Sequence, residues 1–362
     1  MKKAIFVAAT GQNVGKTTLC LGIMAALRER FSKVGFIKPV GQQHIAINDR
    51  IVVDKDVALF KNYFHLDFAY EQMSPVILPA GFTRSFLDGK IDSLKLKRSI
   101  EIAFEKISKH SSFTLVEGTG HVGVGSLVHL SNAAVAASLK LEVIIIASGG
   151  LGSAYDELAL NIELCRAHHV NVKGVILNRV LQNKREMIEH YFPKALKQWN
   201  IPLIGCVPFH EFLSLPTLLD FAALFKTTLI AGHNQQSCHF PHHRLVAGSV
   251  EAFEQELLKD NELIITPATR EEIILSVITH YLRHKKTSVQ ALILTGRHAP
   301  SSYIIDQIKQ ADLPALYAPL CSYEAMESIT SFVAKIRSED SLKIAQAIEL
   351  TEKNLDIDQI LA

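Results

Sequence analysis

AIFVAATGQNVGKTTLCL, Ala4 to Leu21, decides the fold. The apolar run Ala4 to Ala9 has the length and composition of a buried strand. It breaks at Thr10-Gly11 and re-enters a helix at Gly15-Lys16-Thr17-Thr18, with apolar positions at Leu19, Ile23, Ala26 and Leu27. Strand, glycine loop and helix, in that order, form the setting in which Gly-Lys-Thr grips phosphate. Backbone N–H groups of the loop, Gly11, Gln12, Asn13, Val14 and Gly15, turn inward beside the positive end of the helix. Lys16 would reach the β- and γ-phosphates, and the Thr17 hydroxyl would ligate Mg²⁺. The common pattern has a glycine where this chain has Thr10, with Gly11 one step later.

Composition narrows the rest. A chain of 362 residues that is 48% hydrophobic and 20% charged folds into globular domains, with two as the prior. Lys plus Arg is 38 and Asp plus Glu is 36, a net charge of +2, which argues against a large nucleic-acid footprint. No apolar stretch approaches a membrane span. The opening MKKAIFVAAT has lysines before an apolar run, as a signal peptide does, but Gly11 to Lys16 cuts it short and leaves a first strand. Cys20, Cys165, Cys206, Cys238 and Cys321 lack metal or redox spacing, as expected of free thiols in the cytoplasm.

Beyond the loop helix, Lys33 to Gly41 reads as a short strand ending at Lys38-Pro39. A lysine there would sit where charge develops in phosphoryl transfer, or would simply be solvated. Asp54 and Asp56 precede a helical pattern; a carboxylate there caps a helix or helps hold Mg²⁺, and the spacing favours the cap. Residues 65 to 95 read as an irregular excursion, and Ser93 to Lys109 as a helix. Thr114 to Gly120 is a buried strand ending in Glu117, placed as a second magnesium ligand. Further strands follow at Val143 to Ser148, at VKGVILNRV with Asn178 near its end, and at Pro202 to Pro208. Buried strands alternating with helices specify a parallel sheet covered on both faces. Thr17, Lys38, Asp56, Glu117, Asn178 and Pro208 all fall at the carboxyl edge, where open α/β sheets bind ligands.

In order, ATGQNVGKTT, Lys38-Pro39-Val40, Asp56, Glu117-Gly118 and Asn178 resemble dethiobiotin synthetase and its cobyrinate-amidating relatives, over roughly residues 1 to 225. The resemblance implies ATP held by Gly15, Lys16, Thr17 and Thr18, with Mg²⁺ surrounded by Thr17, Asp56 and Glu117. It implies an adenine bordered by Asn178 and Pro208, a transferring phosphoryl neutralised by Lys38, and a homodimer. The shared reaction is attack of a carboxylate or carbamate oxygen on the γ-phosphate. Asn13 replaces the family's acidic residue, and GTGHVGVGS after Glu117 differs from its glycine loop; both lie on the side of the unknown small-molecule acceptor.

From Thr227 the character changes. Residues 227–246, with His233, Cys238, His239, His242 and His243, match no standard zinc spacing and read as a loop or linker. Two strand–helix units and a further strand follow in 247–362. Thr269-Arg270 and Thr295-Gly296 resemble the signatures of the DRTGG domain, a regulatory module. With EGTGHVGVGSLVHLSNA and KIRSEDSLKIA, nearly the whole chain is similar to the N-terminal part of dethiobiotin-synthetase-like phosphotransacetylases. Their acyltransferase domain does not follow before Ala362, so acetyl transfer is not expected. No cysteine sits in a glutaminase elbow. The expectation is a P-loop NTPase-type α/β domain, 1–226, joined to a smaller α/β DRTGG-like domain. Two functions compete: an Mg²⁺–ATP-dependent ligase, and an ATP-sensing regulator without acceptor chemistry.

Overall fold

A computed structural model describes residues 3–256, 258–284 and 289–362. Met1 and Lys2, which open the leader-like run, lie outside the described residues. The chain divides into two compact units, Met1–His210 with Ile336–Ala362, and Glu211–Lys335.

The first unit is built on a six-stranded parallel sheet of β1 (Ala4–Ala9), β2 (Val34–Ile37), β3 (Phe113–Glu117), β4 (Val143–Ser148), β5 (Val172–Val180) and β6 (Leu203–Pro208). Its order is β6-β5-β4-β1-β3-β2. Strands covered on both faces need continuous apolar runs, and β1 and β4 supply them, from Ile5 to Ala9 and from Val143 to Ala147 buried throughout. β2 stops at Ile37, short of the expected end. Pro39 has no N–H for the ladder, and the Lys38 N–H turns away to the Met73 carbonyl at 2.8 Å. Within residues 65 to 95, Tyr70–Met73 and Phe82–Leu87 are short helices, and Val76–Ile77 pairs with Val40–Gly41.

The loop helix, Lys16–Arg30, buries Leu19 to Met24 without a gap, so it has no solvent face there. Its second cover comes from the far end of the chain. The helix Ser341–Asn354 packs so closely that a Cβ on Gly22 would collide with Thr351, and one on Gly205 of β6 would strike the Asn354 carbonyl and Leu355. Leu355 bridges Gly205. The Asp356 N–H donates to Ile204 O at 3.2 Å, and Arg30 pairs with Asp358 at 3.2 Å. This differs from the expected division at 247–362. Residues 336–362 share the core of the first unit because Ile344, Ala347 and Thr351 are fully buried in it.

The second unit holds a mixed sheet of β7 (Leu229–Ala231), β8 (His242–Leu245), β9 (Glu262–Pro267), β10 (Ala291–Thr295) and β11 (Ala315–Ala318). Its order is β7-β11-β10-β9-β8; β7 runs antiparallel to β11 and the rest are parallel. One apolar cluster gathers around Ile264, Ile274, Val277 and Ile308, and another around Phe221, Phe240, Ile265 and Ile293. The segment read as a linker, 227–246, instead supplies both edge strands. Its histidines hid the pattern, because edge strands carry polar residues.

One of these histidines has a defined electrostatic cost. Burial lowers the His243 imidazole below its ordinary 6.5, the ring lies edge-on to Phe221 at 5.9 Å, and Nε2 is buried with no hydrogen-bond partner among the described residues. A depressed folded-state value means the unfolded chain binds more protons, so stability is present above about 6.5 and falls on acidification. The melting temperature of wild type should drop between pH 7 and pH 5, and His243→Phe should flatten that dependence. Parallel profiles would refute the assignment.

Candidate functional site

The carboxyl ends of β1, β2 and β3 converge. Gly15 begins the loop helix at φ 97°, a conformation that glycine adopts without strain, and a Cβ there would strike the Asn178 amide. Asn178 is buried on β5, and its Nδ2 donates to the Val14 carbonyl at 2.7 Å. In this structure the residue expected to border an adenine also braces the phosphate loop. Pro208 ends β6 opposite Val180, half-buried on the same edge. Gln12 and Asn13 are exposed, Gly11 and Thr18 half-buried, and Val14 buried.

Lys16 Nζ donates to Gly120 O at 2.7 Å, and Thr17 Oγ1 donates to Glu117 Oε1 at 3.0 Å. Lys38, only 6% exposed, lies among three carboxylates. Its Nζ pairs with Asp56 Oδ2, stands 3.0 Å from Asp54 Oδ1 and 3.7 Å from Glu117 Oε1. Asp54 does cap the helix Lys55–Phe64, through Asp56 N–H at 3.0 Å, as the spacing favours. The cap and the cluster turn out to be compatible roles for one carboxylate.

Electrostatics follow from burial. Desolvation lowers the Lys16 ammonium against the pull of Glu117. Desolvation opposes charge on Lys38 too, but Asp56, Glu117 and Asp54 overcome it and hold the lysine above its ordinary range. Burial pushes Glu117 up to about 8 and raises Asp54, each against the attraction of Lys38. Glu117 Oε2 and Thr10 Oγ1 are buried with no partner among the described residues. An orphaned carboxylate oxygen costs about 1–3 kcal/mol or more, so its place here calls for a ligand. The donors are all oxygen, which suits a hard cation such as Mg²⁺.

Two asparagines that the sequence did not single out hold the loop after Glu117. Asn132 Oδ1 accepts from Thr119 N at 3.0 Å, and its Nδ2 donates to Thr119 O and His121 O, each at 2.8 Å. Asn161 Oδ1 accepts from Val122 N at 2.9 Å. Thr119 Oγ1 donates to Val40 O. An asparagine amid apolar helical positions, as in LALNIEL, is the signal that would have found them, because a buried amide needs partners.

Residues 3–217 match the family described as AAA domain. The chain belongs to the AAA domain family. Residues 220–332 match the DRTGG domain, so the AAA domain is followed by a second known module. A phosphate acetyltransferase of Nitratidesulfovibrio vulgaris is 26% identical over 99% of this chain and 51% of its own length. The chain thus spans about half the length of the phosphate acetyltransferases it matches. An ATP-dependent dethiobiotin synthetase of Methanococcus vannielii is 28% identical over 56% of this chain and 92% of its own. Among solved structures, cobyrinic acid a,c-diamide synthase from Mycobacterium smegmatis, with bound ADP and magnesium, is 14% identical, with 58% of this chain and 88% of that one covered at a TM-score of 0.40. The AAA domain here is a P-loop domain related to dethiobiotin synthetase and to the N-terminal region of phosphate acetyltransferases. Among the described residues no helix is long and apolar enough to cross a membrane.

Within this AAA domain, Asn132→Ala would strand the two buried backbone groups of Thr119 and release the His121 carbonyl. It should cost about 2 kcal/mol or more in urea denaturation, at 1–3 kcal/mol per orphaned buried group. A loss under about 0.5 kcal/mol, the size of a neutral surface change, would mean that the amide does not hold the loop.

Proposed function

We propose that the AAA domain binds Mg²⁺–ATP and transfers the γ-phosphoryl group to a carboxylate or carbamate oxygen of a small acceptor. The observation that carries this is the buried Lys38, held by carboxylates beside Lys16 and Thr17 at one sheet edge. A solvated strand-end lysine needs no such burial. A charge-stabilising lysine does, because fixed charges act more strongly where water is excluded.

In this reading the N–H groups of residues 11–18 cradle the phosphates, Lys16 leaves Gly120 O for the β- and γ-oxygens, and Asn178 with Pro208 borders the base. Thr17, Asp56 and Glu117 would hold Mg²⁺, which would supply charge neutralisation for the phosphates. Lys38 meets the charge on the transferring group. The bond from γ-phosphorus to the bridging oxygen breaks as the acceptor oxygen attacks, giving ADP and a mixed anhydride. The loop 118–125, pinned by Asn132 and Asn161, forms the acceptor side. A homodimer and an acceptor of unassigned identity belong to the same proposal.

The second reading is an ATP-sensing regulator with no acceptor. It is favoured by the similarity to phosphate acetyltransferases over both domains rather than the first alone.

Calorimetric titration separates these. Wild type should bind Mg²⁺–ATP, and Lys16→Ala should weaken it about 10- to 100-fold, the worth of charge-assisted hydrogen bonds. Equal affinities would remove the nucleotide claim. Phosphate release should rise on adding 7,8-diaminopelargonate with bicarbonate if the acceptor is that of dethiobiotin synthetase. Binding without any stimulated release supports the regulator.

A further inference from the structure

Lys38 is engaged in a way that phosphoryl transfer does not require of it. An ammonium has three protons, and three carboxylates surround this one. Asp56 and Asp54 stand within hydrogen-bond distance and Glu117 faces the ammonium at 3.7 Å, so a phosphate must compete with carboxylates for this lysine until one lets go. The structure shows which can. Asp54 is 1% exposed at its side chain and fixed from several sides. Its Oδ1 caps Asp56 N–H, its Oδ2 accepts from Gln43 N at 3.4 Å, and its own N–H donates to Ser74 Oγ at 3.1 Å. Asp56 is 19% exposed at its side chain, and Glu117 stands farthest from Lys38, with a buried oxygen that has no hydrogen-bond partner among the described residues.

We infer that the Lys38 ammonium is a place-holder for the divalent cation, and that Asp54 is the positioning residue that retains it when Asp56 and Glu117 pass to the metal. The inference rests on the Mg²⁺–ATP reading above and assigns that site an order of events. Metal alone must displace a paired lysine from its carboxylates. Metal arriving with nucleotide gives the lysine a new acceptor in the γ-phosphate, so the two ligands bind with positive coupling. In the loaded state the Lys38–Asp54 pair is neutral and adds no repulsion to the metal. Asp54 acts through Lys38 and touches neither metal nor nucleotide.

The experiment uses Mn²⁺ as the probe, read by its electron paramagnetic resonance signal, with and without a non-hydrolysable ATP analogue. Wild type should take up Mn²⁺ only with the analogue. Lys38→Met should take it up without nucleotide, at least tenfold more tightly than wild type, a shift within the usual range of site coupling. Asp54→Asn keeps an oxygen for the helix cap but removes the charge. It should weaken Mn²⁺–analogue binding about tenfold with Lys38 present and leave it unchanged in the Lys38→Met background, the signature of a pair acting together. An equal loss in both backgrounds would make Asp54 a ligand in its own right and overturn its assignment. Nucleotide-independent Mn²⁺ binding by wild type, or none by a folded Lys38→Met, would overturn the place-holder. Circular dichroism checks folding, and Lys38→Gln serves if the methionine variant fails to fold. If no protein responds to the analogue while Lys38→Met binds Mn²⁺ alone, the ATP reading falls and the place-holder stands.

Discussion

A lysine buried among three carboxylates is the constraint to which the first unit is built. Removing one partner of a buried ion pair typically costs about 3–5 kcal/mol, so such a cluster constrains the segments that supply it. Here the members come from different segments. Lys38 follows β2, Asp54 ends a short strand and starts a helix, Asp56 sits in that helix, and Glu117 ends β3. Only a parallel sheet brings the ends of sequence-distant strands to one edge with helix starts beside them. Thr17, at the start of the loop helix, joins the cluster through Glu117. Fold and site are therefore one solution to one electrostatic problem.

The AAA match covers the sheet that carries the cluster, and the DRTGG match covers the second unit up to residue 332. Relatives named for ATP-dependent synthesis align with the first part, and relatives named for acetyl transfer align with nearly all of it. The buried oxygen donors suit the chemistry of a nucleotide and a hard cation.

Much of this was legible in the sequence, for physical reasons. Strands buried on both faces leave unbroken apolar runs, so β1, β3 and β4 read directly from residues such as VIIIAS. Glycine and lysine at fixed offsets marked the phosphate loop, and strand-end charges marked Lys38 and Glu117. What escaped had weaker local signals. β7 and β8 are short edge strands in a histidine-rich stretch. Asp54 was visible as a cap, but its contact with Lys38 joins residues across a turn that only the fold closes. Asn132 and Asn161 act on backbone groups, and a lone asparagine among apolar helical positions shows that an amide needs partners without saying which. The docking of Ser341–Asn354 on the loop helix depends on Gly22 and Gly205, whose small size is a packing requirement rather than a motif.

That docking carries a consequence for how the protein comes off the ribosome. Between β6 and the returning helix lie the residues of Glu211–Lys335, a complete module of their own. At about 5–20 residues per second, their synthesis alone takes on the order of ten seconds. Throughout it, the apolar back of the phosphate-loop helix and the flank of β6 wait bare for a cover not yet made. Nascent chains of this design therefore spend their riskiest interval with the nucleotide half unfinished, and it closes only after Ser341–Asn354 emerges.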